Sequence, residues 1–152
     1  MPSSKVKAGI AVGTLLVAIM LGTGWSTWSD SKPVTMDAAD IKSVEKGRTL
    51  YARECASCHG ASLEGQPNWR FRTANGRMPA PPHDPSGHTW HHGDQVLFNI
   101  TKLGPAAYPS GYATDMPAFA DRLSDHEIAA IIAYIKSTWP KDIQARQMQA
   151  SH

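Results

Sequence analysis

The sequence has little cysteine: its 152 residues include only two, Cys55 and Cys58. Without a second cysteine pair, the chain lacks the ligands of a four-cysteine zinc site. It also lacks an excess of one charge, because 15 lysine and arginine residues face 13 aspartate and glutamate residues. Nothing therefore indicates a nucleic-acid-binding protein. No segment has the alternating pattern of a β-strand, so the sequence predicts an all-α protein, with long loops in its proline- and glycine-rich middle.

Both cysteines belong to the motif Cys-Ala-Ser-Cys-His at residues 55–59. A C-x-x-C pair is compatible with a structural disulfide, half of a zinc site, a thioredoxin-like redox pair or a haem c attachment site. The thioredoxin interpretation requires a preceding strand, whereas the residues before Cys55 have a helical pattern. The following histidine favours haem, because two thiols can add to the two vinyl groups of one haem while the imidazole binds the haem iron. We therefore predict covalent haem c on Cys55 and Cys58, with His59 as the proximal ligand.

A long apolar run, AGIAVGTLLVAIMLGTGW, occupies residues 8–25 and contains no charged residue. As a helix it spans roughly 27 Å, close to the thickness of a bilayer core. The run is either an uncleaved anchor or a signal peptide, and the lack of a convincing A-x-A cleavage site favours the anchor. Lys5 and Lys7 place the N-terminal end in the cytoplasm by the positive-inside rule. We expect residues 1–28 to be a single-pass anchor of the inner membrane, with the rest facing the periplasm.

A short polar linker at residues 29–36 separates this anchor from the predicted domain, residues 37–140, which is followed by a C-terminal tail at residues 141–152. The domain starts with a helix that runs into the cysteine motif, and either Asp37 or Asp40 can cap it. This helix has an apolar stripe with steps of three and four residues, formed by Ile41, Val44, Gly47, Tyr51 and Cys55.

Gly47 on that stripe has two interpretations. It is either a tolerated glycine, at a cost of about 1 kcal/mol, or the point of a close crossing with another helix, which we favour. The predicted partner helix begins at a capping box of Ser124 and Glu127 and is stopped by Pro140. Its apolar face, bordered by Tyr134, consists of Ile128, Ile131, Ile132 and Ile135.

A third helix is predicted at residues 94–104, capped by Asp94 and ended by Gly104, with the apolar stripe Val96, Leu97, Ile100 and Leu103. The segment after it contains Met116, which can supply a sixth iron ligand because a loop there can fold across the haem. Methionine opposite histidine is a ligand pair of electron-transfer haems. Met78 is the alternative, but it lies only 19 residues after the proximal histidine, so we favour Met116.

Three motifs occur along the chain in the order C-x-x-C-H-G at 55–60, M-P-x-F at 116–119 and L-S-D-x-E-I at 123–128. With them, residues 37–140 resemble a class I cytochrome c of the membrane-anchored bacterial type. The resemblance implies crossed N- and C-terminal helices around one covalently bound haem, long loops and no catalytic turnover.

The resemblance also implies roles for individual residues. Cys55 and Cys58 would form the thioethers, and His59 and Met116 would be the axial ligands of the iron. The family further has a proline-containing loop whose backbone carbonyl orients the proximal histidine. Gln66–Pro67 lies at about the right distance for that loop.

Histidine is crowded into the segment HDPSGHTWHH, which contains His83, His88, His91 and His92. Three interpretations stay open: surface histidines, a second metal site for copper or zinc, and hydrogen bonds to the haem propionates from Trp90 and one imidazole. We favour the propionate contact of Trp90.

Nearby, Arg70, Arg72 and Arg77 either face an acidic partner, pair with a propionate or are solvated. Trp69 and Phe71, in the same segment, are expected to cover the haem.

These features predict a one-electron carrier that is not an enzyme. Its expected partners are membrane respiratory complexes or other cytochromes on the periplasmic side. A fixed subunit of a respiratory or dehydrogenase complex is the alternative. A peroxidase-like haem enzyme needs an open sixth coordination site, and Met116 argues against it.

Overall fold

The computed structural model describes residues 33–150, which contain five α-helices and two short 3-10 helices. The helices are α1 (Ile41–Glu54), α2 (Ala56–His59), α3 (Asp94–Leu103), α4 (Asp125–Ser137) and α5 (Lys141–Ala150), and the 3-10 helices are Thr89–His91 and Gly104–Ala107. The described part has no strand beyond an isolated bridge between Met78 and Thr114. The all-α prediction is therefore confirmed.

The predicted anchor at residues 1–28, and half of the linker at residues 29–36, lie outside the described residues. Within residues 33–150, no helix is long and apolar enough to cross a membrane. The anchor therefore stays a prediction.

The N-cap of helix α1 is Asp40, one of the two predicted caps. Its carboxylate accepts hydrogen bonds from the backbone N–H groups of Lys42 and Ser43, which satisfies donors that the first turn leaves without partners. Ile41, the first residue of the predicted stripe, is 76 % exposed, so the buried face starts further along the helix. That face consists of Gly47, Leu50 and Tyr51.

Helices α1 and α4 cross at Gly47. A Cβ atom on this residue would lie only 1.9 Å from the carbonyl oxygen of Ala130 and 2.9 Å from the Cβ atom of Tyr134. The two backbones thus approach more closely than any side chain at this position permits, which confirms the predicted crossing. The predicted capping box of α4 is also present: the Glu127 carboxylate accepts from the N–H and the hydroxyl of Ser124, at 3.0 and 2.9 Å.

Helix α3 starts differently from its prediction, because Gly93 is its N-cap and Asp94 is its first residue. The Asp94 carboxylate turns instead to α4, where the ammonium of Lys136 donates to both of its oxygens at 2.7 and 2.8 Å. Lys136 is only 8 % exposed, so its charge needs this partner. The prediction of Asp94 as a cap was wrong because an ion pair from another helix takes up the carboxylate.

The segment predicted as a C-terminal tail contains helix α5. Pro140 follows the end of α4, as predicted, and its carbonyl then accepts the N–H of Gln144 in the new helix (3.0 Å). The side chain of Gln147 is fully buried. Its amide nitrogen donates to the carbonyl of His92 at 3.2 Å and to Asp94 at 2.7 Å. These contacts join α5 to the histidine-rich loop and to the start of α3.

Candidate haem site

A cavity of about 490 Å³ lies among the helices and the long loops, within the size range of small-molecule and cofactor sites. The predicted haem residues Cys55, Cys58, His59 and Met116 all line it. Its apolar walls come from α3 and α4, through Val96, Leu97, Ile100, Ile131, Ile132 and Ile135. Val96, a residue of the predicted α3 stripe, is 45 % exposed at this cavity.

His59 lies at the end of α2 and is 7 % exposed. Its Nδ1 atom is 2.8 Å from the carbonyl oxygen of Pro81. A carbonyl oxygen only accepts hydrogen bonds, so Nδ1 carries the proton and the lone pair is on Nε2. Burial lowers the pKa of His59, which favours this neutral, metal-binding form.

The carbonyl that orients His59 therefore belongs to Pro81, and the expectation of Gln66–Pro67 was wrong. Gln66 instead forms hydrogen bonds to the segment that contains Pro81. Its backbone N–H donates to the carbonyl of Ala80 at 2.9 Å, and its side-chain oxygen accepts from the N–H of Ala80 at 2.8 Å. Gln66 thus holds the residue that precedes Pro81.

The two cysteines form no disulfide with each other, and Cys55 is partly buried while Cys58 is exposed. Burial is the main cause that raises the pKa of the Cys55 thiol to about 12, and the nearby acidic groups of Glu54 and Cys58 add to it. Residues 33–150 also contain no group of three or more side chains arranged to hold a metal ion.

Two methionines, not one, reach the cavity: Met116 and Met78 both line it. The backbone N–H of Met116 donates to the hydroxyl of Thr114 (3.2 Å), and the hydroxyl of Tyr108 lies 4.0 Å from the Met116 sulfur. Met78 donates its N–H to the carbonyl of Ala113 (2.9 Å). Since Ala113 lies three residues before Met116, the backbone of Met78 is bonded to the segment that carries Met116. The choice of Met116 as ligand thus stays a prediction.

The described donors fit haem c. Two thiols and an imidazole with a free Nε2 atom come from one short motif, a thioether is available in the same cavity, and most of the remaining lining is apolar. When bound, the haem supplies a one-electron redox centre, while the chain provides its ligands and excludes water from it.

The histidine-rich loop is divided between the cavity and the surface. His83, His88 and His92 line the cavity, and the ring of His83 stacks on that of His59 with centroids 4.0 Å apart. Trp90 does not line the cavity: its ring stacks on His91, and its indole N–H donates to the carbonyl of Pro85 at 3.4 Å. The predicted propionate contact of Trp90 gains no support from this geometry.

The aromatic residues of the preceding loop lie differently from expectation, while the three interpretations of its arginines stay open. Neither Trp69 nor Phe71 lines the cavity, and Phe71 is 71 % exposed. The guanidinium of Arg70 lies over the ring of Trp69 at 4.2 Å, and Arg72 donates to the carbonyl of Gly76 at 2.7 Å. Arg77 pairs with Asp115 within the chain.

The fold and the site define an all-α protein whose paired thiols and buried imidazole surround a haem-sized cavity. The cytochrome c family model matches residues 44–139, more than half of the chain, and the chain belongs to this family. It is therefore an electron carrier with covalently bound haem c, and not an enzyme.

Curated relatives include the Cbb3-type cytochrome c oxidase subunit CcoP of Azospirillum brasilense, which is 30 % identical over 98 residues. The subunit of the same name from Azospirillum sp. (strain B510) matches with the same identity and length. The alignment covers 64 % of this chain but only 29 % of each relative. The similarity thus concerns less than a third of those subunits. No solved structure matches the chain significantly.

Proposed function

We propose that this cytochrome relays single electrons between membrane respiratory complexes on the periplasmic side of the inner membrane, with His59 and Met116 as axial ligands. The observation that carries the ligation in this proposal is the hydrogen bond from His59 Nδ1–H to the carbonyl of Pro81. It presents Nε2 to the cavity as a ligand and raises its basicity. With Met116 as the second ligand, a bound haem iron would have no open position for substrate, and the site would transfer electrons only.

The isoleucines of α4 supply the second requirement of an electron relay. Ile131, Ile132 and Ile135 line the cavity and are buried, between 2 and 6 % exposed. They keep water away from the redox centre, and a buried site of low polarity favours the less charged reduced iron. The chain therefore supports a fairly high reduction potential.

Matched methionine variants test the ligand assignment. Met116→Ala should abolish the weak sulfur-to-iron absorption band of the oxidised protein and lower its reduction potential. Met78→Ala is the control and should leave both nearly unchanged. The opposite pattern would make Met78 the ligand, and loss of the band in neither variant would remove methionine ligation from the proposal.

The similarity to oxidase subunits favours a second candidate, a fixed subunit of a respiratory complex. The polar linker at residues 29–36 bears on this choice, because eight residues span at most about 26 Å. If residues 1–28 anchor the chain, the haem domain, with a radius of gyration of about 13 Å, stays close to the membrane and serves near neighbours.

Two measurements separate these candidates. The mass of the mature protein reports whether residues 1–28 are retained, and an alkaline-carbonate wash reports whether the protein leaves the membrane. A retained anchor together with stoichiometric co-purification of oxidase or dehydrogenase subunits supports the fixed subunit. A retained anchor without such partners supports the relay. A mature chain that begins near residue 25 and washes off would instead be a soluble carrier.

A further inference from the structure

The ring of His83 packs face to face on the ring of His59. The two centroids are 4.0 Å apart, and the ring planes differ by 20°. His83 also lines the haem cavity, so it occupies the position next to the proximal ligand where an apolar side chain would suffice to fill space. A ring at this position that forms hydrogen bonds can also be held in one fixed orientation.

The ring of His83 is itself held in place. Its Nδ1 atom is 2.8 Å from the hydroxyl oxygen of Thr89, and that hydroxyl donates its single proton to the carbonyl of Pro82 at 3.2 Å. Because the proton of Thr89 is already used, His83 Nδ1–H must be the donor to Thr89. The ring orientation of His83 is thereby determined by a chain of two hydrogen bonds.

The backbone of His83 is fixed as well. Its N–H donates to the carbonyl of Leu63 at 2.8 Å, and its carbonyl accepts the indole N–H of Trp139 at 2.7 Å. Trp139 is buried just after the end of α4. His83 is therefore a rigid element connected to the helical core on one side and to the proximal ligand on the other.

The two contacts of His59 restrain different motions. The bond to Pro81 fixes the direction of the Nδ1 edge but leaves the ring free to rock about the Nδ1···O axis. A flat ring stacked on its face opposes that rocking.

We infer that His83 is a positioning residue of the proximal ligand, whose stacked imidazole sets the plane of the His59 ring and thereby the electronic structure of the iron. The inference rests on the proposed role of His59 as axial ligand, and it extends the outer-shell control of metal ligands from hydrogen bonds to a stacked ring.

The test compares His83→Leu with His83→Phe in the haem-loaded ferric protein. The proton shifts of the four haem methyl groups report the plane of the axial imidazole. His83→Leu should redistribute these shifts, whereas His83→Phe, which retains a flat ring but loses the hydrogen bond to Thr89, should change them less. His126→Leu, a change at an exposed histidine in the first turn of α4, is the control and should give the wild-type pattern.

A second pair keeps the inference testable if His83→Leu does not assemble. Thr89→Val removes the hydrogen bond that orients His83 and should alter the methyl shifts, while Thr89→Ser retains the hydroxyl and should not. Wild-type shifts in His83→Leu, or in Thr89→Val, would overturn the inference. A wild-type protein without low-spin histidine–methionine spectra would contradict the proposed function instead, so the two failures are distinguishable.

Discussion

Gly47→Ala should force α1 and α4 apart at their crossing. The new Cβ atom would lie 1.9 Å from the carbonyl oxygen and 2.5 Å from the carbonyl carbon of Ala130. Ordinary contacts begin near 3.4 Å, so one helix must move by about 1.5 Å. Because both nearest atoms are backbone, no side-chain rotation can relieve the overlap.

The size of the effect follows from two opposing contributions. Overpacking of a well-packed core typically costs about 1–3 kcal/mol, and a clash between two backbones belongs at or above the upper end of that range. Alanine in place of glycine stabilises a helix by about 1 kcal/mol. We therefore expect Gly47→Ala to lower the free energy of unfolding by about 2 kcal/mol, a large part of the total stability of a small domain.

Urea unfolding of the haem-loaded ferric protein, followed by far-ultraviolet circular dichroism, measures this change. Arg48→Ala, at the neighbouring exposed position of α1, is the control for helix propensity and should change the stability by less than about 0.5 kcal/mol. An unfolding free energy of Gly47→Ala equal to or above that of the wild type would refute the close crossing.

Three further changes test other contacts. Asp94→Asn should cost about 2 kcal/mol in urea unfolding, because the nearly buried ammonium of Lys136 loses its opposite charge; adding Lys136→Met should recover most of that loss. Glu127 has a lowered pKa owing to its capping hydrogen bonds, so its stabilising contribution is present above its unfolded-state pKa and is lost as the pH falls through the lower folded-state value. Glu127→Gln should therefore be less stable than the wild type at pH 7 and equally stable in strong acid. Cys55→Ser combined with Cys58→Ser should give a chain with poorly dispersed amide resonances, since the cavity of about 490 Å³ then has no attached group to fill it.

The features that could be predicted from sequence are those whose cause is local. The capping box of Ser124 and Glu127 needs only residues three apart on one helix. The motif at residues 55–59 carries both thiols and the imidazole within about one helical turn. Their proximity therefore follows from the sequence spacing and does not depend on the rest of the fold. The helix crossing at Gly47 could be predicted because glycine destabilises a helix. Its presence on an apolar stripe therefore indicates a neighbour that leaves no room for a side chain.

The features that could not be predicted depend on partners far away in the chain. Asp94 has the position and the side chain of a cap, but its ion pair with Lys136 joins residues 42 apart. Helix α5 has a weakly apolar sequence, and its buried polar side chain, Gln147, binds a loop carbonyl 55 residues away. No periodicity in the sequence reports such contacts.

The loop between α2 and α3 shows why the proximal side of the site is harder to predict than its ligands. Its path is determined by a few long-range hydrogen bonds: Gln66 pairs with Ala80, Leu63 accepts the N–H of His83, and Trp139 donates to His83. These bonds decide that Pro81, and not Pro67, presents its carbonyl to His59. Since several prolines in this loop satisfy the same sequence pattern, only the path of the chain distinguishes them. The same path brings His83 onto the face of His59, so the residues that tune the iron are selected by tertiary contacts, whereas the residues that bind it are selected by spacing.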